Sequence, residues 1–168
     1  MLEQHYLTSL FEPKSVAVIG ASERENSVGS IIFKNILDAG YKGRLYAINP
    51  KHETIHGVQA HASIEEIGAR VELAVICTRP QTVPAIVEQC GRSGIKNVIV
   101  ITAGFAEAGH SGAALERKML EIARSYNVRV LGPNCLGLIR PTLGLNATFA
   151  KVTANAGNLA LVSQSGAM

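Results

Sequence analysis

The residues best suited to bind a phosphate follow the first long apolar run of the chain. Gly20, Ala21 and Ser22 end that run, and a helix pattern begins near Ser27. Gly20 permits a tight turn, and the backbone N–H groups at the start of the helix can hold a phosphate. The G-x-G-x-x-G spacing of dinucleotide-binding folds is absent, since the next glycine is Gly29. An ordinary strand-to-helix loop with Ser27 as its N-cap is the alternative interpretation.

The residues after the second apolar run indicate a ligand with an additional phosphate. Asn49, Pro50 and Lys51 lie where NAD-binding folds usually place an acidic residue that binds the ribose 2′-hydroxyl. A lysine without a carboxylate at this place favours the 3′-phosphate of CoA or the 2′-phosphate of NADP over NAD. The alternative is that Lys51 is a solvated loop lysine.

The loop after the third run fits the same kind of ligand. Thr78 and Arg79 offer a hydroxyl and a planar cation for a phosphate. Pro80 follows at a position typical of the first turn of a helix.

Small residues dominate the loops after the fourth and fifth runs. Ala103, Gly104 and Phe105 are compatible with a flat, narrow cleft. Asn134 and Gly137 offer an amide group and an open backbone for ligand contacts.

No residue of the chain is predicted to be catalytic or to bind a metal. The three cysteines form no C-x-x-C motif, and Cys135 has no obvious partner that would make it a nucleophile. The five histidines show no metal-ligand spacing backed by cysteines or carboxylates. A Walker-type ATP-binding motif is also absent.

Five parallel strands would bring these loops to one edge of a sheet. Runs of strand length, rich in Val and Ile, occupy residues 15–20, 44–49, 71–77, 97–102 and 128–132. Such continuous apolarity is typical of parallel strands buried on both faces. Helical spacing of apolar residues separates the runs, including a first-helix stripe of Val28, Ile31, Ile32 and Ile36. The pattern predicts an α/β fold with a Rossmann-like, doubly wound parallel sheet.

The composition restricts the partners and the compartment. The 168 residues are 47% hydrophobic and 17% charged, with a net charge of +3, which fits an anionic small molecule. Without basic clusters or many aromatic residues, we expect no nucleic-acid partner. We expect no membrane partner either, because no apolar run is long enough to span a bilayer. The cysteine usage and the lack of a signal-peptide pattern favour a cytoplasmic location.

The last part of the chain differs from the rest. Residues 141–156 contain Pro141, Gly144 and small polar residues, and we interpret them as a linker. Residues 157–168 read as a strand followed by a Ser-Gln-Ser-Gly turn. We expect this segment to begin a second, flavodoxin-like domain; the alternative is a sixth strand of the same sheet.

Five segments together resemble a known family. They are "PKSVAVIGAS", "AINPK", "ITAGFAE", "LGPNCLGLI" and "GNLALVSQSG". They are similar to the CoA-binding domain of NDP-forming acyl-CoA synthetases, the group that includes the succinyl-CoA synthetase α subunit and ADP-forming acetyl-CoA synthetases. The resemblance covers nearly the whole chain. It implies a Rossmann-like CoA-binding domain over residues 1–140 and the start of a succinyl-CoA synthetase-like domain over residues 157–168.

The resemblance also implies a role for each loop in binding CoA. Gly20, Ala21 and Ser22 would line the phosphates of CoA, and Asn49, Pro50 and Lys51 would lie at its adenosine end. Thr78, Arg79 and Pro80 would border the cofactor. Ala103, Gly104 and Phe105 would flank the pantetheine arm, and Asn134 would lie near the thiol end. A helix in the second domain would receive a phosphate at its start, at Ser163, Gln164, Ser165 and Gly166.

The full reaction of this family would need modules outside the 168 residues. The resemblance implies acyl phosphate formation, relay of the phosphate through a histidine, and thioester formation by CoA. None of the five histidines occupies the place of the phosphohistidine, and ATP/ADP and Mg would bind to an ATP-grasp module, fused or separate. We therefore expect the chain to bind CoA or acyl-CoA without catalysing the reaction alone. Its oligomeric state stays open, with a homo-oligomer among the alternatives.

Two other functions compete with this interpretation. The segment "RPTLGLNATFA" (140–150) resembles bacterial proteins that fuse a synthetase-like region to a GNAT acetyltransferase, where the region would be a non-catalytic acyl-CoA sensor. An NADP-linked oxidoreductase is the weaker alternative, supported only by Lys51 in place of an acidic residue.

Overall fold

The computed structural model describes residues 7–163 of the chain. Its strands are β1 (Ser15–Ile19), β2 (Arg44–Ile48), β3 (Thr54–Ile55), β4 (Val58–His61), β5 (Leu73–Ile76), β6 (Asn97–Val100), β7 (Arg129–Leu131), β8 (Gly137–Arg140) and β9 (Leu145–Thr148). The α-helices are α1 (Thr8–Phe11), α2 (Val28–Asp38), α3 (Val83–Arg92) and α4 (His110–Ser125).

One sheet contains the five predicted strands in a doubly wound order. The sheet order is β3-β4-β2-β1-β5-β6-β7, and all neighbours except β3 and β4 pair in parallel. The residues of β1, β5 and β6 are buried throughout, because helices cover both faces of the sheet. The predicted α/β class and the parallel, Rossmann-like sheet are therefore confirmed.

Helix α2, for which the sequence predicted an apolar stripe, has a buried face slightly different from that stripe. Ile32, Phe33 and Ile36 are fully buried, whereas Val28 is 41% exposed. Val28 is the first residue of α2, one turn before the fully buried Ile32. Ser27 is the N-cap of α2, as the alternative interpretation of this loop expected, since its hydroxyl accepts a hydrogen bond from the Ser30 N–H at 3.2 Å.

The segment after β7 forms a hairpin that packs on α2. Antiparallel β8 and β9 pair from Gly137 with Thr148 to Arg140 with Leu145. Every residue of β9 is buried, and the Asn35 side chain of α2 donates hydrogen bonds to the carbonyls of Thr148 and Ala150 at 2.8 and 3.0 Å. The prediction that residues 141–156 are a plain linker is therefore wrong for 145–148. Composition favoured a connection, but the four residues become a strand by packing against α2.

The chain beyond β9 is exposed as far as the structure describes it. Residues 157–163 do not form the predicted strand, and Leu159, Leu161 and Val162 are 100%, 77% and 91% exposed. Their apolar pattern lacks a neighbouring strand in the described chain, and a strand needs such a neighbour for its backbone hydrogen bonds. The alternative of a sixth strand in the same sheet is likewise not seen for these residues. The second-domain assignment stays a prediction.

Within residues 7–163, no helix combines the length and the apolarity needed to cross a bilayer.

Truncation of Leu145 tests whether β9 belongs to the core. Leu145 is fully buried, so Leu145→Ala should lower the free energy of unfolding by about 2–5 kcal/mol through the cavity it leaves. The matched control is Leu161→Ala, whose side chain is exposed and whose loss should change the stability by less than about 0.5 kcal/mol. Urea unfolding followed by circular dichroism measures both. Equal, small effects would contradict the packing of the hairpin.

Candidate ligand site at the carboxyl ends of the strands

The predicted loops meet at one edge of the sheet, around the point where the strand order reverses. The chain passes from β1 to β2 on one side and then to β5 on the other side of β1. In open α/β sheets, ligands bind at the carboxyl ends of the strands beside such a switch point. The five loops follow β2, β1, β5, β6 and β7, which are adjacent in that order. Four strand spacings extend over roughly 19 Å, so the edge suits an elongated ligand.

The backbone of the β1–α2 loop is fixed by two glycines. Gly20 has a φ of +89°, and a Cβ there would lie 3.0 Å from the Cys77 carbonyl oxygen. A Cβ on Gly29 would overlap the Gly20 carbonyl oxygen, so the first turn of α2 touches the end of β1 backbone to backbone. Gly29 thus provides the close helix–strand packing that the third glycine provides in G-x-G-x-x-G. The sequence showed this glycine without revealing its role.

Asn49 connects the loops after β1 and β2. Its side-chain N–H group donates to the Ala21 carbonyl at 2.8 Å, and its side-chain oxygen accepts from the Lys51 N–H at 2.9 Å. Ala21 is itself fully buried. Asn49 and Ala21 therefore shape the edge, while the exposed Lys51 side chain has no ion pair within the described chain.

The loop after β5 is tied to the loop after β6. The Thr102 hydroxyl donates to the Thr78 carbonyl at 2.8 Å, and the Thr82 hydroxyl donates to the Thr78 hydroxyl at 2.9 Å. The Arg79 guanidinium is exposed and makes no ion pair in the part of the chain described here. Pro80 begins a 3-10 turn over Pro80–Thr82 that leads into α3, as predicted for a first-turn proline.

The structure corrects the prediction for the Phe105 side chain. It is fully buried in the core with Val87 and Met119, so it cannot flank a ligand at the surface. An isolated aromatic residue in a small-residue loop gave no indication of which way it faces. Gly104 and Ala103 do lie at the edge, and a Cβ on Gly104 would come within 2.9 Å of Pro80 Cγ.

Asn134 lies exposed at the far end of this edge. Its backbone has a φ of +52°, and its N–H donates to the Thr102 carbonyl at 3.0 Å. The preceding peptide bond, between Gly132 and Pro133, is cis. The edge formed by the five loops extends in this way from Lys51 to Asn134.

The cysteines are unsuited to nucleophilic catalysis. Burial raises the pKa of Cys77 to about 12, with Cys135 adding to the shift, and burial also raises the pKa of Cys90 to about 12. Loss of solvation raises the pKa of the Cys135 thiol as well. Raised values keep the thiols protonated at neutral pH, so the reactive thiolate is scarce. Within residues 7–163, no group of three or more His, Cys, Asp or Glu side chains could hold a metal ion.

The predicted phosphate site of the second domain falls mostly outside the structure. Ser163 is described and exposed. Gln164, Ser165 and Gly166 lie outside the described residues, and their role stays a prediction.

Comparison with known protein families identifies the family to which the chain belongs. Residues 14–141 match the family described as CoA binding domain, a span that includes all five loops. The chain belongs to this family. The predicted resemblance to a CoA-binding domain is therefore confirmed, and so is the predicted fold.

Curated relatives of this chain include ADP-forming CoA ligases. The ADP-forming acetate–CoA ligase of Methanocaldococcus jannaschii is 46% identical over 156 residues, 93% of this chain and 22% of the relative. The α subunit of ADP-forming acetate–CoA ligase I of Pyrococcus furiosus is 42% identical over 166 residues, 96% of this chain and 36% of that subunit. The chain thus spans well under half of the length of these relatives. They favour the ligase interpretation over the acetyltransferase-linked sensor.

A solved structure shows the same fold. The acetyl-coenzyme A synthetase 1 of Ca. Korarchaeum cryptofilum, determined in complex with phosphate and ADP, superposes with a TM-score of 0.91 and 39% identity. The match covers 96% of this chain and 34% of that protein.

Gly29→Ala tests the contact between α2 and β1. Helix propensity alone predicts that alanine stabilises a helix by about 1 kcal/mol relative to glycine. Because the new methyl group would overlap the Gly20 carbonyl, we expect instead a loss of about 1–3 kcal/mol in the free energy of unfolding. Urea unfolding measures the change. The control is Gly157→Ala, where a Cβ meets nothing within 4 Å, and a stabilised Gly29→Ala variant would contradict the described contact.

Proposed function

We propose that this chain binds CoA or an acyl-CoA across the carboxyl ends of β2, β1, β5, β6 and β7. The observation that carries the proposal is the row of five loops at one edge, within a domain of the CoA binding family. CoA is elongated, with an adenosine 3′-phosphate, a pyrophosphate and a pantetheine arm, and a row of roughly 19 Å offers each part its own loop.

The loops along the edge offer three cations to an anionic ligand, beside exposed carboxylates at Glu23, Glu25 and Glu53. Arg24, Lys51 and Arg79 are exposed in three neighbouring loops, and none makes an ion pair within the described chain. The N-terminus of α2 opens onto the same loops and carries no acidic residue in its first turn. Helix N-termini and unpaired cations both stabilise phosphate groups, so the pyrophosphate and the 3′-phosphate have partners of the right charge.

We assign the parts of CoA to the loops as follows. Gly20 and Ser22 lie along the pyrophosphate with Thr78 and Arg79, and Lys51 pairs with the 3′-phosphate. The backbone at Ala103 and Gly104 borders the pantetheine arm, and Asn134 lies near the thiol. Ala21 and Asn49 shape the loops through their mutual hydrogen bond, and Pro50 and Pro80 restrict the adjoining backbone.

The chain would supply one step of a larger reaction. We propose that it is the CoA-binding part of an ADP-forming acyl-CoA synthetase, an acid–thiol ligase, and that it is inactive by itself. Bound CoA would supply the thiol that receives the acyl group, while these residues bind and orient it. ATP or ADP, Mg and the phosphohistidine would belong to other modules, such as an ATP-grasp module on the same or a separate chain. The free cysteines of the described chain fit a reducing, cytoplasmic location.

Calorimetric titration of the 168-residue chain with CoA, dephospho-CoA and NADPH tests the proposal. We expect CoA to bind and dephospho-CoA to bind about tenfold more weakly, since one charge-assisted contact with Lys51 is lost. Lys51→Ala should weaken CoA binding by a similar factor and remove the difference between the two ligands.

The control variant is Lys118→Ala, which removes an exposed lysine on α4 and should leave CoA binding unchanged. Binding of NADPH without binding of CoA would reject the proposal in favour of the oxidoreductase alternative. If dephospho-CoA binds as tightly as CoA and Lys51→Ala leaves the CoA affinity unchanged, only the assignment of Lys51 is rejected.

A further inference from the structure

Two carboxylates hold the loop that follows β6. Glu107 Oε1 accepts hydrogen bonds from the N–H groups of Gly104 at 2.6 Å and Phe105 at 3.2 Å. Glu116 Oε2, from α4, accepts a hydrogen bond from the Ala106 N–H at 3.0 Å. Three consecutive backbone donors are therefore satisfied by side chains and need neither sheet nor helix partners.

The same loop is enclosed on both sides. Gly104, with a φ of +104°, lies so close to Pro80 that a Cβ would come within 2.9 Å of its ring. On the other side, a Cβ on Gly112 of α4 would overlap the Phe105 carbonyl oxygen. The buried Phe105 side chain anchors the centre of the loop. With its N–H groups bound by Glu107 and Glu116, the loop is restricted to one backbone path.

Glu107 places a carboxylate at the edge where we propose that an anionic ligand binds, so its presence there needs an explanation. Its side chain is exposed, so the residue does not fill the core. The hydrogen bond from the Gly104 N–H is the largest cause that holds the pKa of Glu107 below its usual value, and the Phe105 N–H adds to it. Glu107 is thus ionised at neutral pH, where its charge would repel an anion. Its hydrogen bonds to the loop supply a reason for a carboxylate at this place.

We propose that Glu107 and Glu116 are positioning residues that pre-order the backbone of residues 104–106 for the pantetheine arm of CoA. The proposal rests on the proposed function. A loop that is already ordered loses little conformational entropy when ligand binds, whereas a loop freed from its carboxylate partners loses more. Ordering about one residue at the moment of binding corresponds to roughly a tenfold increase in Kd.

The experiment compares two ligands that share the adenosine end. Calorimetry with the 168-residue chain measures the Kd of CoA and of adenosine 3′,5′-bisphosphate, which has no pantetheine arm. Glu107→Ala should raise the Kd of CoA about tenfold and leave that of the bisphosphate within about twofold. Glu107→Gln retains an acceptor oxygen for the two N–H groups and should recover most of the CoA affinity. Glu121→Ala, an exposed carboxylate elsewhere on α4, is the control and should change neither Kd.

Amide hydrogen exchange locates the effect within the loop. In Glu107→Ala, the Gly104 and Phe105 amides should exchange faster while the Ala106 amide keeps its protection. Glu116→Ala should show the reverse pattern.

Three results would contradict these proposals. If Glu107→Ala raised the Kd of CoA and of the bisphosphate by the same factor, the positioning role would be overturned in favour of a general loss of stability. Unchanged or tighter CoA binding by Glu107→Ala would also overturn it, tighter binding meaning that the charge only repels the ligand. If the unmodified chain fails to bind CoA, the proposed function itself fails, whatever the variants do.

Discussion

The contact between the end of β1 and the first turn of α2 is the constraint on which the site depends. Backbone meets backbone there, since Gly29 leaves no room for a side chain beside the Gly20 carbonyl. The contact brings the N-terminus of α2, whose first backbone N–H groups have no acceptor within the helix ladder, to the end of β1 beside the switch point between β1 and β5. A bulkier residue at either position would push the helix away and move those donors.

Neighbouring loops are joined along this edge by side chains that satisfy backbone groups. Asn49 connects the loops after β2 and β1, and Thr102 connects the loops after β6 and β5. Glu107 performs the same task within the loop after β6. An edge joined in this way keeps its shape without ligand, which lowers the entropy lost on binding. The side chains of Lys51 and Arg79 stay exposed at the same edge.

The β8–β9 hairpin completes the core on the α2 side of the sheet. Its inner strand is buried along its whole length, and Asn35 fixes its end through two carbonyl groups. Leu145 and Ala147 share a core cluster with Ile32 and Phe33. The hairpin therefore supports the same helix whose N-terminus faces the ligand edge, and it connects the stability of the fold to the geometry of the site.

The sequence by itself determined the five parallel strands, the Ser27 cap and the loops that reach the ligand edge. Apolar runs, cap residues and turn residues are local signals, because each depends on neighbours in the chain. Only the tertiary structure decided that residues 145–148 form a buried strand, that Phe105 faces inward and that Glu107 holds a loop. Those outcomes depend on contacts between distant elements, as with Asn35 and β9, and such contacts leave no pattern in a single sequence.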